Sequence, residues 1–273
     1  MKRLLRATGV AIAALSMQPV VHAAPTPPAG FTPVDLEAMT SVELRERIAR
    51  GATTILVPIG GTEQNGAHMV LGKHNVRAHI LADRIAEQLG NAIVAPTIAY
   101  VPEGSVNPPA AHMKYAGTIS IPDAVFDGLL AGAARSFKQH GFKTIVFLGD
   151  HGGYLADLTH VADQLNREWA RDPSCRVLAP LEYYRIAQTA YVDALKAHGV
   201  AASELGSHAG LADTSLALAV DPSLVREQAL AGPYPPGVTG NPARSSAKFG
   251  ELGTKLIVDR TVTAIRKQTQ QRQ

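Results

Sequence analysis

Thr54-Ile55-Leu56-Val57-Pro58-Ile59 runs straight into Gly60-Gly61-Thr62-Glu63-Gln64-Asn65-Gly66-Ala67-His68-Met69-Val70-Leu71-Gly72-Lys73-His74. The first six residues form an apolar run of strand length, which reads as a buried strand. Asn75 to Gln88 then carries the 3.6-residue period of a helix. Between the two lies a polar, glycine-rich loop holding Glu63, His68 and His74. In an open α/β sheet, ligands bind in the crevice beyond the carboxyl ends of the strands. A loop of this composition therefore stands where chemistry is expected. A plain connector with incidental histidines is the competing reading.

Outward from this unit the same alternation repeats. A helix begins at Ser41 with Glu43 in its first turn and ends near Gly51. Ala92-Ile93-Val94-Ala95-Pro96 reads as the next strand, and residues 101–117 form a loop too long for a simple connector. A helix runs from Pro122 to about His140. Lys143 to Gly149 is a central strand, followed by a helix to about Ala170. Residues 175–179 are a further strand, with a helix near 182–198, an apolar helix from Leu216 to Val220, and a last amphipathic helix over roughly 246–267. The β-α-β-α order predicts a mostly parallel sheet covered on both faces. Right-handed crossovers then bring all the βα loops to one edge.

Charge and composition limit what the chain can do. Lys2, Arg3 and Arg6 precede an apolar run from Ala7 to Leu15, and Val21-His22-Ala23 offers small residues for cleavage. This is the layout of a secretory signal peptide over residues 1–23, with the cut after Ala23 or Ala24, and it predicts a periplasmic or secreted protein. Residues 24–34 form a Pro-rich leader, and 35–268 a single α/β domain. Residues 1–23 hold three of the 26 basic residues and none of the 23 acidic ones, so the remaining chain is charge-balanced. That leaves no electrostatic case for nucleic-acid binding. No later segment is apolar and long enough to span a membrane. Cys175, the single cysteine, excludes an intrachain disulfide and a thiolate metal cluster, and it reads as a buried thiol in a strand.

The polar residues at the predicted strand ends are Glu63 with His74, Glu103 with His112, Asp150 with His151, and His208 with Asp213. Carboxylates and imidazoles drawn from separate loops can hold zinc or manganese. Such an ion activates water and polarises a carbonyl, and a spare histidine can shuttle protons. Each residue also has a plainer reading. His68 can pack the loop, His74 can begin the following helix, and Asp213 can charge a helix start. His79, His140, His160 and His198 fall in helices or at their ends and read as surface residues. A serine nucleophile lacks its Gly-x-Ser-x-Gly elbow. The glycine pairs Gly60-Gly61 and Gly152-Gly153 match no phosphate-loop pattern.

At this point a family resemblance becomes specific. Gly61 to His68 with Leu71-Gly72 resembles the first metal loop of the creatininase (creatinine amidohydrolase) family. His112 to Ser120 resembles the family's H-x-x-F-P-G-T-x-S segment, and Asp150-His151-Gly152-Gly153 its N-G-H-G-G-N. His208 to Ser215 resembles H-A-G-E-x-E-T-S, and Gly237 to Pro242 with Ser246 to Gly250 resembles the C-terminal signature. The blocks occur in order over about residues 35–268. The resemblance implies a three-layer αβα fold, a homo-oligomer (often a hexamer), and metal-dependent hydrolysis of a small, often cyclic, amide. Residue by residue it places Glu63 and His151 on metal ligands, His208 on the catalytic histidine, and Asp213 on a carboxylate that ligates in many members. The departures are Asn65 for a ligand histidine, His74 for a bridging aspartate, Leu211 for a glutamate and Tyr154 for an asparagine. The expectation is a periplasmic or secreted amidohydrolase that binds zinc or manganese, one or two ions per subunit, through Glu63, His74, His151 and Asp213, with the second metal site altered or lost. His208 is the proton donor, and Asn65, His68, Glu103, His112 and Asp150 support the site or touch substrate. A non-catalytic ligand-binding or assembly protein is the alternative, and an esterase or phosphoesterase on the same scaffold a weaker third reading.

Overall fold

The computed structural model describes residues 26–270, so the expected signal peptide lies outside the described residues. The strands are β1 (Thr54–Ile59), β2 (Ala92–Val94), β3 (Thr144–Gly149) and β4 (Arg176–Leu178). All pair in parallel, in the order β2-β1-β3-β4. The helices are α1 (Ser41–Ala49), α2 (Lys73–Leu89), α3 (Asp123–Gln139), α4 (Leu155–Glu168), α5 (Glu182–Gln188), α6 (Ala190–Ala197), α7 (Ala202–Leu205), α8 (Leu211–Val220) and α9 (Ala247–Gln270). This is the expected three-layer αβα architecture.

Every residue of β1 and β3 is buried, because helices cover both faces of the sheet. Ile55, Val57, Ile59, Ile145 and Phe147 point into one core with Phe126 and Leu130 of α3 and Leu158 and Leu165 of α4. Leu56, Val146 and Leu148 point the other way, onto Leu81 and Ile85 of α2 and Ile257 and Val262 of α9. Strand alternation thus divides one apolar run between two cores.

The local signals act as elementary chemistry requires. Thr40 and Glu43 cap α1 reciprocally, each side chain accepting from the other's backbone N–H. Gly90, at φ +78°, ends α2 in the left-handed conformation. Two boundaries differ from expectation. The helix expected over 182–198 is two helices that break at Thr189, where φ −124° and ψ −92° leave the helical region. The apolar helix expected from Leu216 begins at Leu211, so Asp213 lies in its first turn. Cys175 is buried as expected, and burial pushes its thiol up to about 11. Among the described residues, no helix is long and apolar enough to cross a membrane.

Candidate metal centre

The βα loops meet beyond the carboxyl ends of β1 and β3. Asp150 and His151 follow β3 directly, and the Asp150 N–H donates to Ile59 O at 2.9 Å. The Tyr154 hydroxyl lies 2.8 Å from Ile59 O and 2.6 Å from Gly60 O, and accepts from the His151 N–H at 3.1 Å. One side chain therefore fixes the end of β1 against the end of β3. The Glu103 N–H donates to Ser120 Oγ at 3.0 Å, which pins the 101–117 loop. Gly61, at φ +146°, lets that loop close in, since a Cβ there would sit 2.5 Å from Glu103 Oε1.

Glu63 is fully buried at the centre of four imidazoles. Its Oε1 accepts from His74 Nε2 at 2.8 Å. Among the described residues its Oε2 has no hydrogen-bond partner, although His112 Nδ1 lies 3.1 Å away and His151 Nε2 3.7 Å away. Both oxygens of buried Glu103 also lack hydrogen-bond partners among the described residues, with His151 Nδ1 3.6 Å from Oε2. Glu63, Glu103, His112 and His151 each offer a ligand atom, and these atoms lie within 4.8 Å of one another. Orphaned buried carboxylate oxygens are costly unless something compensates them. A divalent cation among two carboxylates and two imidazoles does so, and the residues present fit one.

The charges agree with this reading. Burial alone would raise Glu63, but His74, Lys73 and His151 hold its carboxyl well below the usual range. Burial, then the Glu63 charge, pushes Glu103 up to about 8. Burial and the neighbouring His74 push His151 down to about 3, so the ring is neutral at neutral pH and one nitrogen can serve a metal, although Nδ1 here accepts from the Gly153 N–H at 3.2 Å.

His74 and Asp213, expected as ligands, sit outside this four-residue cluster. His74 Nδ1 is 2.6 Å from Asp150 Oδ2 while Nε2 contacts Glu63, so both ring nitrogens are engaged. Burial and Lys73 act to lower His74, yet the bonds to Asp150 and Glu63 raise it, which describes an imidazolium held between two carboxylates. Asp213 is paired with Lys73 and with Arg77 Nη1 at 2.7 Å. Despite burial, those two cations hold it far below the usual carboxylate range. Arg77 Nε also donates to Asp150 Oδ2 at 2.9 Å, completing a buried chain Lys73–Asp213–Arg77–Asp150–His74–Glu63.

The remaining candidates occupy distinct places. Asp150 is ion-paired with Arg77 and accepts from the Tyr183 hydroxyl at 3.1 Å. Asn65 Nδ2 donates to Glu63 O at 2.9 Å and shapes the loop. His68 is buried against Ala209 O at 3.0 Å, the packing role. His208 Nε2 donates to Gln64 O at 2.9 Å, which leaves Nδ1, 3.7 Å from Glu63 Oε1, unprotonated in the neutral ring. Burial and Lys73 lower His208, so the neutral form prevails. The Thr239 hydroxyl accepts from its backbone N–H at 2.8 Å and orients the loop. A cavity of about 240 Å³ opens over these groups, lined by His112, His151 and His208 on one side and by Tyr183, Tyr184 and Gln188 of α5 on another.

Sequence reasoning missed Lys73, Arg77 and Tyr183. The available signal for the first two was position, since cations in the first turns of a helix oppose its dipole and need acidic partners.

Comparison with known proteins follows the same lines. A family model described as creatinine amidohydrolase (creatininase) matches residues 37–265. The creatinine amidohydrolase of Pseudomonas putida is 24% identical over 250 residues, covering 84% of this chain and 95% of that enzyme. The mycofactocin precursor peptide peptidase of Mycolicibacterium smegmatis is 33% identical over 141 residues, half of this chain and 53% of that protein. Among solved structures, a manganese creatininase superposes with a TM-score of 0.70 at 26% identity, over 86% of this chain and 98% of that one. A mutant creatininase of Zn-Zn type gives 0.69 at 25% identity over the same shares.

Proposed function

Because this chain belongs to the creatininase (creatinine amidohydrolase) family, we propose that it is a metal-dependent amidohydrolase with one active-site metal, acting on a small amide or on a peptide. The orphaned carboxylate oxygens of Glu63 and Glu103, facing His112 and His151, carry this reading. These four residues would hold the ion. When bound, zinc or manganese supplies Lewis acidity, polarising an amide carbonyl and making water acidic enough to attack at neutral pH.

The chain's own residues supply the rest. His74 holds Glu63 Oε1, which turns Oε2 toward the ligand histidines. The Lys73, Arg77 and Asp150 network fixes His74 in turn. His208, neutral and anchored at Nε2, is placed to take a proton at Nδ1 and return it to the leaving nitrogen. Charge balance supports a single ion. Glu63, Glu103, Asp150 and Asp213 face Lys73, Arg77 and the His74 imidazolium, so one divalent cation already reverses the net sign. Lys73 and Arg77 occupy the neighbourhood in which a second ion would need free carboxylates.

A cavity of about 240 Å³ suits a small substrate, being smaller than the range of roughly 300–1,000 Å³ usual for drug-sized ligands. The likeness to both a creatinine amidohydrolase and a peptide peptidase supports an amide bond as the target. The reading includes export, on the pattern of residues 1–23, and assembly as a homo-oligomer, supported by exposed Tyr100, Val106, Val125 and Leu129. The test is turnover of a panel of lactams, acyl amides, dipeptides, esters and phosphoesters by the zinc- or manganese-loaded mature protein, with and without chelator. Chelator-sensitive amide hydrolysis supports the proposal. Cleavage confined to esters or phosphoesters, or metal binding with no turnover of any class, contradicts it.

A further inference from the structure

We propose a second divalent-metal site, structural in role, formed by Asp35, His79 and Asp83, which clamps the N-terminal segment onto α2. His79 and Asp83 are one turn apart on α2 and so share a face. Asp35 comes from the segment before α1, where it bridges in parallel to Val94 at the edge of the sheet. His79 Nε2 lies 3.5 Å from Asp35 Oδ1 and 3.8 Å from Asp83 Oδ2, beyond normal hydrogen-bond length. The three residues offer ligand atoms within 4.8 Å of one another.

A second observation points to a ligand. Asp83 is 7% exposed, and among the described residues its Oδ1 has no hydrogen-bond partner. Asp35 is 2% exposed, with Oδ2 accepting from the Thr32 N–H at 2.6 Å and Oδ1 turned to His79. Among the described residues, His79 is the ion-pair partner of both carboxylates. Two buried carboxylates with one imidazole between them carry more negative charge than that imidazole can balance. Burial, with Asp35 adding to it against the pull of His79 and a side-chain hydrogen bond from Thr32, pushes the Asp83 carboxyl up to about 7. A divalent cation relieves both the repulsion and the orphaned oxygen.

Two carboxylates and an imidazole with no thiolate suit zinc or manganese, water completing the shell. The His79 side chain, a quarter exposed, provides the way in. The site is separate from the candidate active site. His79 lies five residues beyond His74 on α2, about 140° around the helix, and Asp83 about 180° around. Its effect is local, on a segment that meets the sheet edge through the Asp35 bridge and the Val94 N–H to Val34 O bond at 2.9 Å and packs Val34, Leu36 and Met39 on the cores.

The test uses zinc and the mature protein, stripped by chelator and dialysed against zinc, with bound metal counted by native mass spectrometry. In a Glu63→Ala/His151→Ala background, which disables the active-site cluster, one zinc remains and raises the melting temperature. Adding Asp83→Asn or His79→Ala abolishes both effects. In the otherwise unaltered chain, Asp83→Asn lowers the count by one and leaves the active-site metal in place, which covers the case in which the active-site variant fails to fold. Circular dichroism checks folding throughout. If Asp83→Asn and His79→Ala bind as much zinc as their parents, or zinc leaves the melting temperature of the active-site variant unchanged, the site does not exist.

Discussion

Glu103→Gln removes a buried carboxyl that faces Glu63. The Glu103 carboxyl, 3% exposed and facing Glu63, titrates near 8 in the metal-free protein, against an ordinary value of 4.5. Between those values the folded state keeps a proton that the unfolded chain has released. Stability therefore falls as pH rises through this window, at about 1.4 kcal/mol per unit, or about 5 kcal/mol over the whole of it. His151 opposes this at lower pH. Its ring titrates near 3 when folded and near 6.5 when unfolded, so it makes stability rise with pH up to about 6.5. Above 6.5 the His151 contribution is flat, and Glu103 acts unopposed by it. The amide that replaces the carboxyl in the variant has no proton to lose and keeps the same shape. In chelator-treated protein, the wild type should therefore lose about 2 kcal/mol more than the variant between pH 6.5 and 8. The assay is urea unfolding at a series of pH values, with the two chains compared so that other titrating groups, Asp83 among them, cancel. Saturating zinc should reverse the order, since metal binding stabilises only the wild type strongly. Parallel stability curves for the two metal-free proteins would refute the placement of Glu103 as a buried, uncompensated carboxyl.

Three further outcomes follow from the same geometry. His208→Ala should lower kcat by about 10²–10⁴-fold on any amide substrate while leaving bound metal unchanged, measured by steady-state kinetics beside metal analysis. Arg77→Met leaves Asp150 with His74 and Asp213 with Lys73 as their remaining cationic partners, and should cost about 3–5 kcal/mol in chemical denaturation. Gly250→Ala places a Cβ 1.8 Å from Ser215 O where α9 crosses α8, and should lower stability by about 1–3 kcal/mol or more, read from the thermal midpoint.

Much of this fold was legible in the residues themselves. Thr54–Ile59 and Thr144–Gly149 are continuous apolar runs of strand length, separated by helix-period segments, and that order permits few arrangements. Convergence of Glu63, Glu103, His112, Asp150, His151 and His208 followed from topology, since parallel strands with right-handed crossovers put their loops on one edge. The break at Thr189 was not legible, because neither glycine nor proline marks it. The division of labour among the histidines was not legible either. A neutral imidazole has one nitrogen with a free lone pair, and both His74 nitrogens here face carboxylates, Asp150 and Glu63. That outcome depends on Arg77 and Lys73, which in a one-dimensional pattern look like ordinary polar positions of an amphipathic helix. Nor did position reveal His79, read as a surface residue, because its partner Asp35 is 44 residues away and arrives by an edge-strand bridge.

Anomalous diffraction at the zinc edge, from crystals of the zinc-loaded mature protein, locates the ion outright. One peak is expected in the active-site cavity, ligated by Glu63, Glu103, His112 and His151, with Lys73 still on Asp213 and His74 still between Asp150 and Glu63. Two peaks in that cavity, one of them held by Asp213 or by a turned His74, would contradict the single-ion reading.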